Sequence, residues 1–251
     1  MTERPPLLLL HGVMMSANVW SAVVPLLSDR YDVLAPTAAG HRGGPALTGR
    51  ASVAVLTDHT ERYLDELGLD TVHVAGNSLG GWMAVELARR GRARSACGLS
   101  PAGFWTPGSP DQTRSRSRLR FVRNLTRASA PVMPVAMRSA TVRRLSMRDI
   151  AAHGDRLTPQ AATTAATDLL HCTAGLELLA TTESVAPLDP LPCPVTFAWP
   201  ELDRIFPQQV NGTTAQQLVP GAKHVVLPGT GHVPMIDDPA LCARVIAESA
   251  A

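Results

Sequence analysis

Between Thr71 and Arg90 the chain passes from strand to helix with only a glycine-rich turn between, and this stretch constrains the fold more than any other. Thr71-Val72-His73-Val74-Ala75 reads as a short strand. Gly76-Asn77-Ser78-Leu79-Gly80-Gly81 follows at once and turns the chain into a helix running to about Arg90. The same order recurs on both sides. Leu7 to Leu10 is a continuous apolar run stopped by His11-Gly12, as expected of a strand buried on both faces. Asn18 to Leu27 is predicted to be a helix with Trp20, Val23, Val24 and Leu27 on one side, and Tyr31 to Ala35 the next strand. Pro36 to Gly49 is loop, and Ser52 to Leu67 is a helix closed by Gly68. Further strands are expected near Ala96 to Ser100, at Val195 to Trp199 and at His224 to Leu227, the last two each followed by a helix. Strand and helix in alternation predict an α/β fold: a mostly parallel central sheet with helices on both faces.

The rhythm breaks between residues 104 and 186, where helical patterns run without a convincing strand. We therefore expect one core domain, residues 1–103 and 187–251, with residues 104–186 inserted as a helical cap. Such a cap should lie over the C-terminal edge of the sheet, where open α/β sheets bind ligands. A chain of 251 residues can bury a core of that size.

Charge and composition exclude several classes. The formal net charge of +2 gives no reason to expect nucleic-acid binding or stable membrane association. Charge is unevenly placed, however. Residues 111–150 hold ten arginines against Asp111 and Asp149. Arg116, Arg120, Arg123 and Arg127 recur on one helical face with Phe121, Val122 and Leu125 largely opposite, which is the pattern of a solvated amphipathic helix. The alternative is an electropositive entrance that steers an anionic substrate. Cys97, Cys172, Cys193 and Cys242 lack metal-finger spacing and read as reduced thiols. No basic segment followed by a long apolar stretch opens the sequence, so a cytoplasmic location is the expectation.

Chemistry concentrates in three places. Gly76-x-Ser78-x-Gly80 between a strand and a helix presents a serine hydroxyl on a tight turn above the sheet. A serine hydroxyl is a poor nucleophile at neutral pH and needs a base held by a third group. His232 sits in a glycine-flanked loop after the last strand, and Asp203 just past the strand that ends at Trp199. Ser78, Asp203 and His232 are therefore the candidate nucleophile, orienting acid and base. Glu201 competes with Asp203 for the acid role. His11 is expected to bond backbone, and Asp237 and Asp238 to be surface or helix-capping residues. Met14, Met15, Trp82, Trp105 and Trp199 lie near the predicted site loops; they are candidates for an apolar substrate pocket, with core packing as the alternative.

With these motifs the whole chain resembles the α/β-hydrolase superfamily of serine esterases, C–C bond hydrolases and cofactor-free haloperoxidases. His11-Gly12-Val13 resembles that superfamily's oxyanion loop, which implies a hole made by the N–H groups of Val13 and Leu79. Trp199-Pro200-Glu201-Leu202-Asp203 through Pro207 resembles its acid loop, and Gly231-His232 followed by Asp238-Pro239 its histidine loop. Two departures stand out: Thr37 replaces the usual Asp before Gly40, and Pro200 replaces a Gly. The resemblance implies hydrolysis of a small-molecule carboxylic ester or thioester through an acyl-enzyme on Ser78, with no metal or organic cofactor. Asn77 keeps C–C cleavage beside a ketone open as a rival, and a non-catalytic binding protein of this fold is a second. Ser78 argues against dehalogenases and epoxide hydrolases, which carry an Asp nucleophile. Oligomeric state and substrate are left open.

Overall fold

A computed structural model describes residues 4–251. Six strands form one sheet: β1 (Pro6–Leu10), β2 (Asp32–Leu34), β3 (Val72–Asn77), β4 (Ala93–Leu99), β5 (Val195–Pro200) and β6 (Lys223–Leu227). Their order is β2-β1-β3-β4-β5-β6, and every neighbouring pair is parallel. Helices α1 (Val24–Leu27), α2 (Val53–Glu66) and α3 (Leu79–Arg89) link the first four strands. Between β4 and β5 the described residues form only helices: α4 (Pro110–Ser129), α5 (Met133–Ala136), α6 (Ala140–Met147), α7 (Pro159–Leu170) and α8 (Gly175–Leu179), with a single 3₁₀ turn. Then α9 (Thr213–Leu218) follows β5, and α10 (Pro234–Asp237) and α11 (Pro239–Ser249) follow β6.

The Leu7–Leu10 run is buried on both faces because successive strand side chains point to opposite sides. Leu8 and Leu10 join a core with Leu56 and Leu64 of α2 and Met83 of α3. Leu7 and Leu9 join the opposite core with Leu27 of α1 and Ile246 of α11. Each buried leucine contributes roughly 1.5–3 kcal/mol of apolar transfer energy, so this strand anchors both layers at once.

Residues 18–27 depart from the expected single helix. Ala17–Trp20 is a 3₁₀ turn, and α1 restarts at Val24 with Pro25 in its first turn. Proline lacks the N–H that a continuous helix needs from that position, and its ring crowds the turn before it. At the start of a new helix neither defect matters.

The helical insertion is held by caps and by a few polar ties. Ser109, Ser139 and Thr158 each accept a backbone N–H at the start of α4, α6 and α7, a device typically worth about 1 kcal/mol per helix. Asp168 of α7, 2% exposed, accepts from Ser16 Oγ at 2.5 Å and from Arg42 Nε at 2.6 Å. Those two residues belong to the loops after β1 and β2, so one buried carboxylate fastens α7 to the core. Asp168→Ala should therefore cost about 1–3 kcal/mol, read as a lower denaturation midpoint. It should also speed limited proteolysis within residues 104–186 ahead of the rest of the chain.

Candidate active site

Ser78 sits at the junction of β3 and α3 with φ 55° and ψ −115°, a conformation that L-residues avoid. Only two other non-glycine residues among those described have positive φ, Met14 and Ser100. All three surround one site, which is where backbone strain tends to be retained. The turn closes this tightly because a Cβ on Gly76 would overlap the Gly80 carbonyl, and one on Gly80 would overlap the carbonyl of Leu10. Ser78 N donates to Leu99 O at 3.1 Å, and Ser78 O accepts from Ala102 N at 2.9 Å, so the end of β4 holds the strained residue in place.

Beside Ser78 lies the loop after β1. A Cβ on Gly12 would stand 3.3 Å from Ser78 Cβ, so the Gly12–Val13 peptide passes directly over the serine. His11 fixes that peptide. Its Nδ1 bonds Gly12 O at 2.8 Å while its Nε2 receives the N–H of Ala38 at 2.9 Å. The second bond makes Nε2 the lone-pair nitrogen, so Nδ1 carries the proton and donates. Met15 N also donates to Gly12 O. In a trans peptide the N–H points opposite to the C=O, so pinning Gly12 O aims the Val13 N–H the other way. Val13 N–H and Leu79 N–H have no hydrogen-bond partner among the described residues. Leu79 is the first residue of α3, where a free N–H is intrinsic to the helix end.

His232 and Asp203 are brought together. His232 Nδ1 lies 2.9 Å from Asp203 Oδ2, and both residues are buried. Asp203 Oδ1 accepts from Ile205 N at 2.8 Å and Phe206 N at 2.9 Å. Glu201 does something else: its exposed carboxylate accepts from Gly229 N at 2.8 Å and braces the turn after β6. The sequence did not point to Ser100, which is fully buried at the end of β4. Its hydroxyl donates to Asp203 Oδ2 and lies 3.1 Å from His232 Nδ1. Asn77 also works on the histidine loop, with Nδ2 donating to His232 O at 2.9 Å and Leu99 O at 3.0 Å.

Asp237 requires a correction. It is not a surface or capping residue but fully buried, accepting from Gly231 N at 2.7 Å, Ala152 N at 3.0 Å and His153 N at 2.6 Å. Val233 N donates to Ile150 O at 2.8 Å alongside. The insertion and the histidine loop therefore share one carboxylate. Asp238 does cap, accepting from Leu241 N at the start of α11.

Ser78 and His232 line one cavity of about 750 Å³, roofed by the insertion. Six of the eight methionines line it: Met14, Met15, Met133, Met137, Met147 and Met235. Met14, Met15 and Met235 stand near motifs, whereas sequence pattern gave no sign of the three from the insertion. Trp82, Trp105 and Trp199 are absent from the lining. They are buried behind it: Trp82 meets Trp105 edge-on, Trp105 packs on Phe206, and Phe206 meets the His232 ring edge-on at 5.0 Å. Trp199 Nε1 donates to Phe206 O at 2.7 Å. The indole N–H groups of Trp105 and Trp199 donate to the backbone carbonyls of Glu183 and Phe206, and the aromatic stack supports the histidine from the rear.

The sequence matches the model of the alpha/beta hydrolase family over residues 7–245. The chain belongs to that family. Among curated relatives it is 37% identical to the epoxide hydrolase EphH of Mycobacterium tuberculosis, over 78% of this chain and 93% of that protein. It is 31% identical to the pimeloyl-[acyl-carrier protein] methyl ester esterase of Aromatoleum aromaticum, over 97% of both. Among solved structures, a thermophilic esterase from Thermogutta terrifontis superposes with TM-score 0.75 at 23% identity, covering 98% of this chain and 89% of that one. This alpha/beta hydrolase contains, among its described residues, no helix long and apolar enough to cross a membrane.

The buried histidines of the loops after β1 and β2 give a pH test. Burial, reinforced by His41, pushes the His11 imidazolium down from 6.5 to about 3, and burial also lowers His41. A depressed folded value means that the unfolded chain binds the extra proton, so the stability held at neutral pH is lost as pH falls below 6.5. For His11 the slope is about 1.4 kcal/mol per pH unit. Thermal unfolding followed from pH 7 toward pH 4 should fall steeply, and the fall should be shallower in His11→Asn.

Proposed function

We propose that this chain hydrolyses a carboxylic ester or thioester of small to medium size through an acyl-enzyme on Ser78. The observation that carries the reading is the hydrogen bond between His232 and Asp203, with His232 lining the cavity that also holds Ser78. Because His232 Nδ1–H donates to Asp203, the lone pair sits on Nε2, the nitrogen a general base needs. Ser78 Oγ attacks the carbonyl carbon while His232 Nε2 takes its proton, and the carbonyl oxygen becomes an oxyanion. The unpaired N–H groups of Val13 and Leu79 receive it; one such donor is typically worth about 3–4 kcal/mol of barrier. The intermediate expels the alcohol or thiol, which leaves with the proton from His232. Water, deprotonated by His232, then attacks the acyl carbon, and Ser78 recovers its proton as the acid departs. Ser100 serves as a positioning residue, since it shares the carboxylate oxygen that orients the ring. The helical insertion acts as the cap over the site.

Two alternatives lose support. The similarity to an epoxide hydrolase does not carry that reaction over. A serine alkoxide opening an epoxide forms an ether, and water at a neighbouring histidine does not cleave an ether. A carboxylate nucleophile forms an ester instead, and this chain has Ser78 at that position. The C–C cleavage rival rested on Asn77, whose Nδ2 donates to His232 O and Leu99 O and so has a structural task on the histidine loop.

An organophosphonate probe should add one adduct, on the peptide containing Ser78, and Ser78→Ala should abolish it. Across p-nitrophenyl esters, Asp203→Asn should lose on the order of 10⁴ in kcat, while Glu201→Gln stays within about tenfold. Styrene oxide and a vinylogous diketone should not turn over. Labelling that persists in Ser78→Ala, or a larger loss from Glu201→Gln, would overturn the assignment.

A further inference from the structure

The arginine-rich part of the insertion is used by none of the chemistry above. From Gln112 to Arg148 the chain carries ten arginines and no acidic residue. Arg114 pairs with Asp111 and Arg118 with Asp149, and the Arg143 guanidinium is spent on the carbonyls of Met137, Arg138 and Asp155. The other seven make no ion pair among the described residues. Arg116 is crowded by burial and by the guanidinium of Arg120, which together lower its pKa. The buried Nη2 of Arg116 and Nε of Arg123 have no partner among the described residues. Positive charge is thus packed here without the carboxylates that would neutralise it.

The same segment exposes apolar surface. Phe121, Leu125, Val132, Val135 and Leu145 are 50–68% exposed, and with Val142 they make up half of the exposed large hydrophobic side chains described in the chain. On α4 the apolar pair Phe121 and Leu125 sits one turn apart, opposite the stripe Arg116, Arg120, Arg123 and Arg127. A basic face opposite an apolar one is the arrangement of a helix lying in a lipid headgroup boundary. Leu125 also lines the catalytic cavity, as do Met133 and Met137 on the segment that exposes Val132 and Val135. The exposed apolar surface and the cavity wall are therefore continuous.

We propose that residues 116–138 dock this protein reversibly on an anionic lipid surface, with the cavity entrance toward the bilayer. An anionic bilayer matches both halves of the pattern: lipid phosphates meet the unpaired guanidiniums, while Phe121, Leu125, Val132 and Val135 insert separately among acyl chains. A second copy fits less well, since its identical face would set guanidinium against guanidinium. The near-neutral total charge concealed this, because the remainder of the chain is net negative. Combined with the ester reading, on which this last step rests, docking makes the substrate an amphiphilic ester whose apolar chain enters past Leu125 from the lipid without crossing water.

The test is co-sedimentation of the full chain with phosphatidylcholine vesicles, with and without phosphatidylglycerol. Ser78→Ala is run in parallel, so that binding is read independently of turnover. Binding should require the anionic lipid at about 0.1 M salt and be lost at about 1 M, where the Debye length shrinks from ~10 Å to ~3 Å. Phe121→Ser/Val135→Ser, and separately Arg120→Gln/Arg127→Gln/Arg138→Gln, should each weaken partitioning about tenfold or more. Both variants should keep wild-type activity on a soluble p-nitrophenyl ester, which shows that they fold. Equal sedimentation with both vesicle types, none with either, or partitioning unchanged in the variants would overturn the proposal. So would a dimer in size-exclusion chromatography that Phe121→Ser/Val135→Ser dissolves, or an acidic polypeptide that binds more tightly than the anionic vesicles.

Discussion

One close approach governs the geometry of this molecule: the backbone at Gly80 lies so near the end of β1 that no side chain fits between them. Because α3 starts against that strand, the turn before it must be sharp, and Ser78 is forced into a left-handed conformation. The same contact brings the loop after β1 over the serine, so Gly12 and Ser78 meet without a separate device for each. A turn of this kind is stable only if its surroundings over-determine it. The backbone bonds from Ser78 to Leu99 and Ala102 do this, and the buried leucines of β1 supply the rigid floor.

Two buried carboxylates divide the work around the histidine. Asp203 addresses the imidazole ring, and Asp237 the main chain of the loop that carries it. Asp237 bonds backbone N–H groups on the insertion as well. Movement of the segment around Ala152 and His153 would therefore be felt at Gly231, one residue from His232. The insertion that lines the cavity and the loop that carries His232 are in this sense one mechanical unit.

The sheet and its alternation with helices were legible because strand burial and helix spacing leave marks at short range. The pairing of Asp203 with His232, and the placing of His232 and Ser78 on one cavity, were legible for a related reason: each residue sits at a fixed offset from a strand end and from a glycine or proline. Ser100 and Asp237 were not, since their partners come from other segments. Ser100 meets a carboxylate 103 positions away, and Asp237 bonds amides more than eighty residues earlier. The three tryptophans misled for a different reason. Proximity in sequence to a site loop does not say which side of that loop a ring occupies, and the indoles of Trp105 and Trp199 follow their N–H groups to carbonyls. The break in the helix at Pro25 was written in the sequence, but the apolar spacing around it concealed the interruption.

The methionine lining gives the cavity an unusual chemical temperament. Thioether side chains are unbranched and polarisable, so the wall can conform to ligands of different outline with little loss of contact. That adaptability has a weakness, because sulfur is also the most easily oxidised atom in such a wall. Each sulfoxide would place a chiral dipole where the pocket had offered only a compliant apolar surface. The range of molecules admitted would then depend on the oxidative history of the protein, while Ser78, His232 and Asp203 remained intact.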